Sequence, residues 1–281
     1  MTNDNIFAGL EGFGLSDVAE KQKEIFKPQP QPQKSAKEEA AYQFNIDNYV
    51  YAKKYICPVC GYNFTAFTVR DSKIRIESTE FDLRLKCSPI EPMLYNVIVC
   101  EGCGYSAVTK AFNKVSRRQS EMILAEITPN FRPVEYPKEP DIDAAITRYK
   151  LALLNSMVKQ ATEGEKAYVC MKLTWLYRIK GNEPANEKVF ADLTLKGFTR
   201  ALESESTPVM GIGEAAMTYL IGAFSMFLGD NEGALKTLSG VVVSSNCSER
   251  LKDKARDLKN EIVAAKLFDN MTKKDTEKTG R

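Results

Sequence analysis

The stretches Cys57-Pro58-Val59-Cys60-Gly61 and Cys100-Glu101-Gly102-Cys103-Gly104 decide how this chain is read. Each is C-x-x-C followed by glycine. Two thiolates three positions apart share one metal ion if the backbone turns between them. A glycine in the left-handed region lets that turn close with N–H groups directed at the sulfurs. Pro58 stiffens the first hook. Two hooks supply four thiolates, a closed tetrahedral set that favours Zn2+ and leaves no position for water. Cys57, Cys60, Cys100 and Cys103 are therefore the expected ligands of one structural zinc per chain. Residues 61–99 separate the hooks, a longer insert than a ribbon usually carries, and three candidate strands fill it.

Other uses of the thiols fit less well. A redox C-x-x-C pair wants a β-α-β setting, and here two pairs sit in a β-rich region. An iron–sulfur cluster also takes four thiolates, but at other spacings. Cys87 is a fifth thiol inside the insert and reads as a small apolar side chain, not a ligand. Cys170 and Cys247 fall in helical stretches and read as core. Seven cysteines in a chain of 281 residues, behind an N-terminus with no basic leader, do not make a secreted disulfide framework. No apolar run approaches the roughly 18 residues needed to cross a bilayer. A reducing cytoplasm and no membrane partner are expected.

Working outward from the hooks, residues 1–48 read as a disordered tail and linker. Ile6, Phe7, Leu10, Phe13, Leu15 and Val18 are interrupted by glycines, and a docking peptide is the sharper alternative. Lys27-Pro28-Gln29-Pro30-Gln31-Pro32-Gln33-Lys34 is an extended spacer, because proline fixes φ and removes donors. Residues 49–128 read as a small antiparallel β-domain of zinc-ribbon type. Phe64–Val69 is rich in aromatic and β-branched residues. Ile74 and Ile76, then Phe81, Leu83 and Leu85, alternate with polar residues, and Tyr95–Val99 leads into the second hook. So small a β-domain needs its metal for stability.

Pro129, Pro133, Pro137 and Pro140 mark a boundary, after which the apolar period becomes 3.6. Six amphipathic helices are expected within residues 141–268, and a flexible tail over 269–281. Leu220-Ile221-Gly222, Leu228-Gly229-Asp230, Ala234 and Leu238 have the pattern of a tetratricopeptide unit, with small residues where helices meet and glycine at the turn. Leu173, Tyr177 and Gly181-Asn182 give a fainter copy, but the two glycine turns are spaced more widely than that repeat, so an ordinary helical bundle is the alternative. The fold class is α+β: a β zinc ribbon, then an all-α array of helical hairpins.

Charge and residue type narrow the function. Lys+Arg 39 against Asp+Glu 37 gives +2 overall. Residues 50–115 hold nine basic and six acidic residues, +3, which a four-thiolate zinc reduces to +1. Nucleic-acid binding wants a clearer excess. The chain has no histidine, no Walker loop and no G-x-S-x-G, so no catalytic constellation is expected.

Tyr51-Ala52-Lys53-Lys54-Tyr55-Ile56-Cys57-Pro58-Val59-Cys60-Gly61, Arg70, Lys73 and Arg75, Glu80-Phe81, Glu91-Pro92-Met93-Leu94-Tyr95 and Cys100-x-x-Cys103-Gly104-Tyr105-Ser106-Ala107 resemble an uncharacterised bacterial domain-of-unknown-function family. Thr174-Trp175-Leu176-Tyr177-Arg178 and Tyr219-Leu220-Ile221-Gly222 extend the likeness over about residues 49–265. The chain departs from that family's pattern at Ser78-Thr79-Glu80-Phe81 and at Glu91-Pro92. The resemblance implies a zinc ribbon joined to tetratricopeptide-like helices and no established activity. The expected role is a non-enzymatic zinc-containing cytoplasmic adaptor whose helical array takes a protein or peptide partner. The alternative is a nucleic-acid-binding regulator acting through the ribbon. The oligomeric state is left open.

Overall fold

The computed structural model describes residues 44–279, with side chains to residue 267. The expected N-terminal tail and Pro/Gln spacer lie outside the described residues, as do the side chains of the expected C-terminal tail. From Ile46 onward the chain forms one compact unit.

Each hook is the tip of a hairpin. Strand β1 (Val50–Ile56) pairs antiparallel with β2 (Asn63–Val69), and the pairing closes at Ile56↔Asn63. Strand β5 (Val97–Val99) pairs with β6 (Ser106–Val108), closing at Val99↔Ser106. The two closures are register-matched, with Cys57–Tyr62 in one loop and Cys100–Tyr105 in the other. Between them lies a third hairpin, β3 (Arg75–Thr79) with β4 (Leu85–Ser88).

The alternation of Phe81, Leu83 and Leu85 does not make one strand. Only Leu85 lies in β4. Phe81 and Leu83 belong to the hairpin's turn, where Leu83 has φ +65° and the Glu80 N–H donates to the Arg84 carbonyl. Their apolarity serves contact with the helices, not a sheet face: both pack against the cluster built around Tyr219 and Leu238.

Seven helices follow among the described residues: α1 (Arg117–Glu126), α2 (Ile142–Val158), α3 (Glu163–Lys180), α4 (Pro184–Ser204), α5 (Glu214–Phe227), α6 (Asn231–Val243) and α7 (Glu249–Thr279). Six match the periodic stretches. The seventh, α1, comes from a signal that the period alone does not show. Ser116 accepts from the Gln119 N–H and the Gln119 side chain accepts from the Ser116 N–H, a capping box that satisfies orphan donors of a helix carrying a single fully buried residue, Ile123. Gly181 closes α3 in the left-handed conformation, φ +78°.

Packing joins strands to helices. The largest apolar cluster runs from Cys57, Phe64 and Val97–Cys100 through Ala145, Tyr149 and Ala152 of α2 to Leu173, Leu176, Phe198 and Phe224. Strands β5 and β6 are buried throughout, because α2 covers them. A second cluster ties α5, α6 and α7 through Tyr219, Ala234, Leu238, Ala255 and Leu258.

Candidate metal centre and the buried ion network

The local fold of each hook follows from its glycine. Gly61 and Gly104 have φ +75° and +77°, a region costly for any side chain bearing Cβ. This lets the Gly61 N–H return to the Cys57 carbonyl at 2.9 Å and the Gly104 N–H to the Cys100 carbonyl at 2.9 Å. The next hydrogen bonds also correspond: Cys57 N–H to the Tyr62 carbonyl at 2.9 Å, Cys100 N–H to the Tyr105 carbonyl at 2.8 Å. Two unrelated stretches thus make the same loop.

The loops face one another. All four sulfurs lie within 4.8 Å of each other, with Cys57 Sγ 3.7 Å from Cys103 Sγ and Cys60 Sγ 3.7 Å from Cys100 Sγ. A disulfide would hold its sulfurs at about 2.05 Å, so none is formed here. Cys57, Cys100 and Cys103 are buried, and Cys60 is exposed. The four thiols can hold one metal ion. Cys87 stands on β4, apart from the group.

Electrostatics say the same. S–H donors from Cys100 and then Cys103, with backbone N–H groups of the loop, pull the Cys57 thiol down to about 4. Cys103 is pushed far up by its hydrogen bonds to Cys100 and Cys57 and by burial. One negative charge is stabilised in the cluster and further ones are opposed. A cation at the centre reverses that opposition, because thiolates ionise against its charge.

The second hook is braced from behind. Asn155 of α2 donates Nδ2–H to the Gly104 carbonyl at 3.1 Å, and the Thr128 hydroxyl donates to the Cys103 carbonyl at 2.9 Å. Phe131 lies so close that a Cβ on Gly104 would meet its ring at 2.5 Å. Lys159, 1% exposed, pairs with Glu165 at 2.7 Å and stands over the Tyr105 ring.

A second constellation escaped the sequence reading. The β3–β4 turn inserts between helices and carries Asp82, fully buried. Asp82 Oδ2 accepts from the Trp175 indole N–H at 2.9 Å and pairs with Arg178 at 2.8 Å. Arg178 also binds Glu80 at 2.8 Å and Glu187 of α4 at 2.7 Å, and it stands over Phe81 and Phe227. Arg84 binds Glu80 at 2.9 Å and Glu91 at 3.2 Å. The Tyr219 hydroxyl donates to the Phe81 carbonyl at 2.6 Å. In sequence these residues look like an ordinary solvated charge run. Only the turn at Leu83 brings them onto α3 and α5.

The molecule so defined is an α+β protein in which two glycine-closed hairpin tips assemble a four-thiol cluster, able to hold a metal ion, against a helical layer. The chain belongs to the bacterial family described as "Uncharacterized protein conserved in bacteria (DUF2225)", whose sequence model matches residues 50–262. Comparisons with curated proteins and with solved structures gave no match. No helix among the described residues is long and apolar enough to cross a membrane.

Proposed function

We propose that this chain is a zinc-stapled cytoplasmic adaptor, in which Cys57, Cys60, Cys100 and Cys103 hold one structural Zn2+ and the helices carry a protein partner. The observation that carries the metal reading is the 3.7 Å sulfur spacing. Zinc–thiolate bonds of about 2.3 Å set the edges of a regular tetrahedron at about 3.8 Å. A cluster of several irons would have to fit its own atoms between the cysteines. A complete set of four thiolates leaves the ion no open position for a substrate, which favours a structural over a catalytic role.

The helical part supports the adaptor reading. Gly222 lies where α5 meets α6, and a Cβ there would come within 2.7 Å of Leu238. Ala234 is fully buried in the same contact and Gly229 turns between the helices, the arrangement of a tetratricopeptide-like hairpin. Leu154 and Met157 on α2, and Val189 and Leu193 on α4, are 47%, 59%, 54% and 42% exposed at helical spacing. Such pairs suit an apolar partner segment.

The test has two arms. Purified protein should contain one zinc per chain, and stoichiometric iron or a metal-free folded protein would overturn the metal reading. Partner capture from bacterial cytoplasm should fail for Val189→Asp/Leu193→Asp if α4 is the docking face; undiminished capture would count against it.

A second reading, nucleic-acid binding, rests on Lys53, Lys54, Arg70, Lys73 and Arg75. All five are exposed on the first hairpin or beside it, and among the described residues none is in an ion pair with a carboxylate. It predicts retention on a nucleic-acid column that falls steeply with salt; no retention at low salt would remove it.

A further inference from the structure

A cleft of about 380 Å³ opens where the β3–β4 hairpin and the segment before β5 meet α3, with Leu83, Arg84, Glu91, Met93, Lys172 and Trp175 among its walls. That volume suits a small organic molecule. We propose that this cleft binds a small organic anion, an oxyanion carried on an apolar body, with Lys172 as its counter-charge and Arg84 beside it.

Two cations carry the argument. The Lys172 ammonium forms no ion pair or hydrogen bond among the described residues. It lies over the Trp175 ring at 3.9 Å and the Tyr168 ring at 5.2 Å, contacts that orient a cation without neutralising it. Arg84 is 8% exposed; its two terminal nitrogens are taken by Glu80 and Glu91, while its buried Nε has no partner among the described residues. A buried, unpaired donor of that kind is costly and marks a place where an acceptor belongs. The carboxylates nearby do not fill the role. Glu91 is held by Arg84 and by the Met93 N–H, and Asp82 by Arg178 and Trp175. Asp71 also lines the cleft but is exposed. Met93, Leu83 and Trp175 supply the apolar wall for the ligand's body.

The charge balance agrees. Loss of solvent, then the neighbouring Lys110, push the Lys172 ammonium down to about 7 against the upward pull of Glu91 and Asp82, with Arg84 adding the least to the fall. An anion in the cleft would relieve that deficit, so the lysine would take up a proton as the anion binds.

Trp175 is the chain's single tryptophan, so its fluorescence reports on this wall alone. Benzoate is the probe, and benzyl alcohol its neutral counterpart. Benzoate should give a saturable change at one site per chain, at least tenfold tighter than benzyl alcohol. Its affinity should fall as pH rises from about 7 to 9. Lys172→Met should weaken benzoate at least tenfold and leave benzyl alcohol unchanged, while Lys172→Arg should keep benzoate within a few-fold. Circular dichroism checks that both variants fold. Absence of saturation, equal affinity for acid and alcohol, or a Lys172→Met variant that binds benzoate normally would each overturn the proposal.

Discussion

At the residue scale, one side chain often decides more than a strand. Asp82 is the clearest case, with no exposure and with both Arg178 and the Trp175 indole depending on it. Asp82→Ala leaves the Trp175 N–H buried without an acceptor, while Arg178 keeps Glu80 and Glu187, and should cost about 1–3 kcal/mol in denaturant unfolding; no measurable loss would mean that water replaces the carboxylate. Cys57→Ser and Cys103→Ser should each abolish stoichiometric metal, read by elemental analysis, since three thiolates do not close the set. Lys172 sets a pH dependence of definite sign. Its folded value lies near 7 and its unfolded value near the ordinary lysine value of about 10.4. Below 7 both states hold the proton. Between those values only the unfolded chain does, so stability rises with pH across that window. Thermal scans from pH 7 to 10 should show the rise, and Lys172→Met should flatten it.

At the scale of elements, the hooks were legible because turn chemistry is local. Gly61 and Gly104 need a positive φ whatever surrounds them, and both have it. Helices α2 to α7 were legible because each keeps an apolar stripe at 3.6 spacing. Helix α1 was not, since it buries little and is set by its cap. Ser116→Ala should cost about 1 kcal/mol, measurable as an earlier loss of protection at α1 amides in hydrogen exchange. The α5–α6 contact depends on Gly222 lacking Cβ. Gly222→Val should lower stability by about 1–3 kcal/mol through overpacking against Leu238, and a neutral result would show that the two helices can separate. Phe81 and Leu83 show where periodicity misleads. Alternation fixes which side chains are apolar, but not whether a sheet or a neighbouring helix receives them.

At the scale of the molecule, the four-thiol cluster and the helices share one apolar core, through Cys100, Cys103, Tyr105, Tyr149 and Ala152. Structural zinc contributes on the order of 10–16 kcal/mol in small metal domains, as much as the whole stability of a typical chain. Chelation should therefore lower the melting temperature of the helical signal as well as disorder the hairpins; an unchanged helical transition would show that α2 and α3 stand without the hooks. Acid acts on the ion network. Burial raises Glu80, but its bonds to Arg178, Arg84 and Lys86 outweigh it and hold the carboxyl below the usual range. Its contribution is present above the unfolded value of about 4.3 and lost as pH falls through the lower folded value. The stability gap between wild type and Glu80→Gln should narrow as pH falls below about 4.3.

The sequence by itself determined the four cysteines, the glycines that close their loops, the α+β class and the helical stripes, because each follows from chemistry within a few neighbouring residues. Tertiary structure alone decided that the two loops meet at 3.7 Å, that the β3–β4 turn plugs into α3 and α5, and that Lys172 stands unpaired in a cleft. These depend on residues 40 to 138 positions apart, held together by burial and charge pairing that no local pattern encodes.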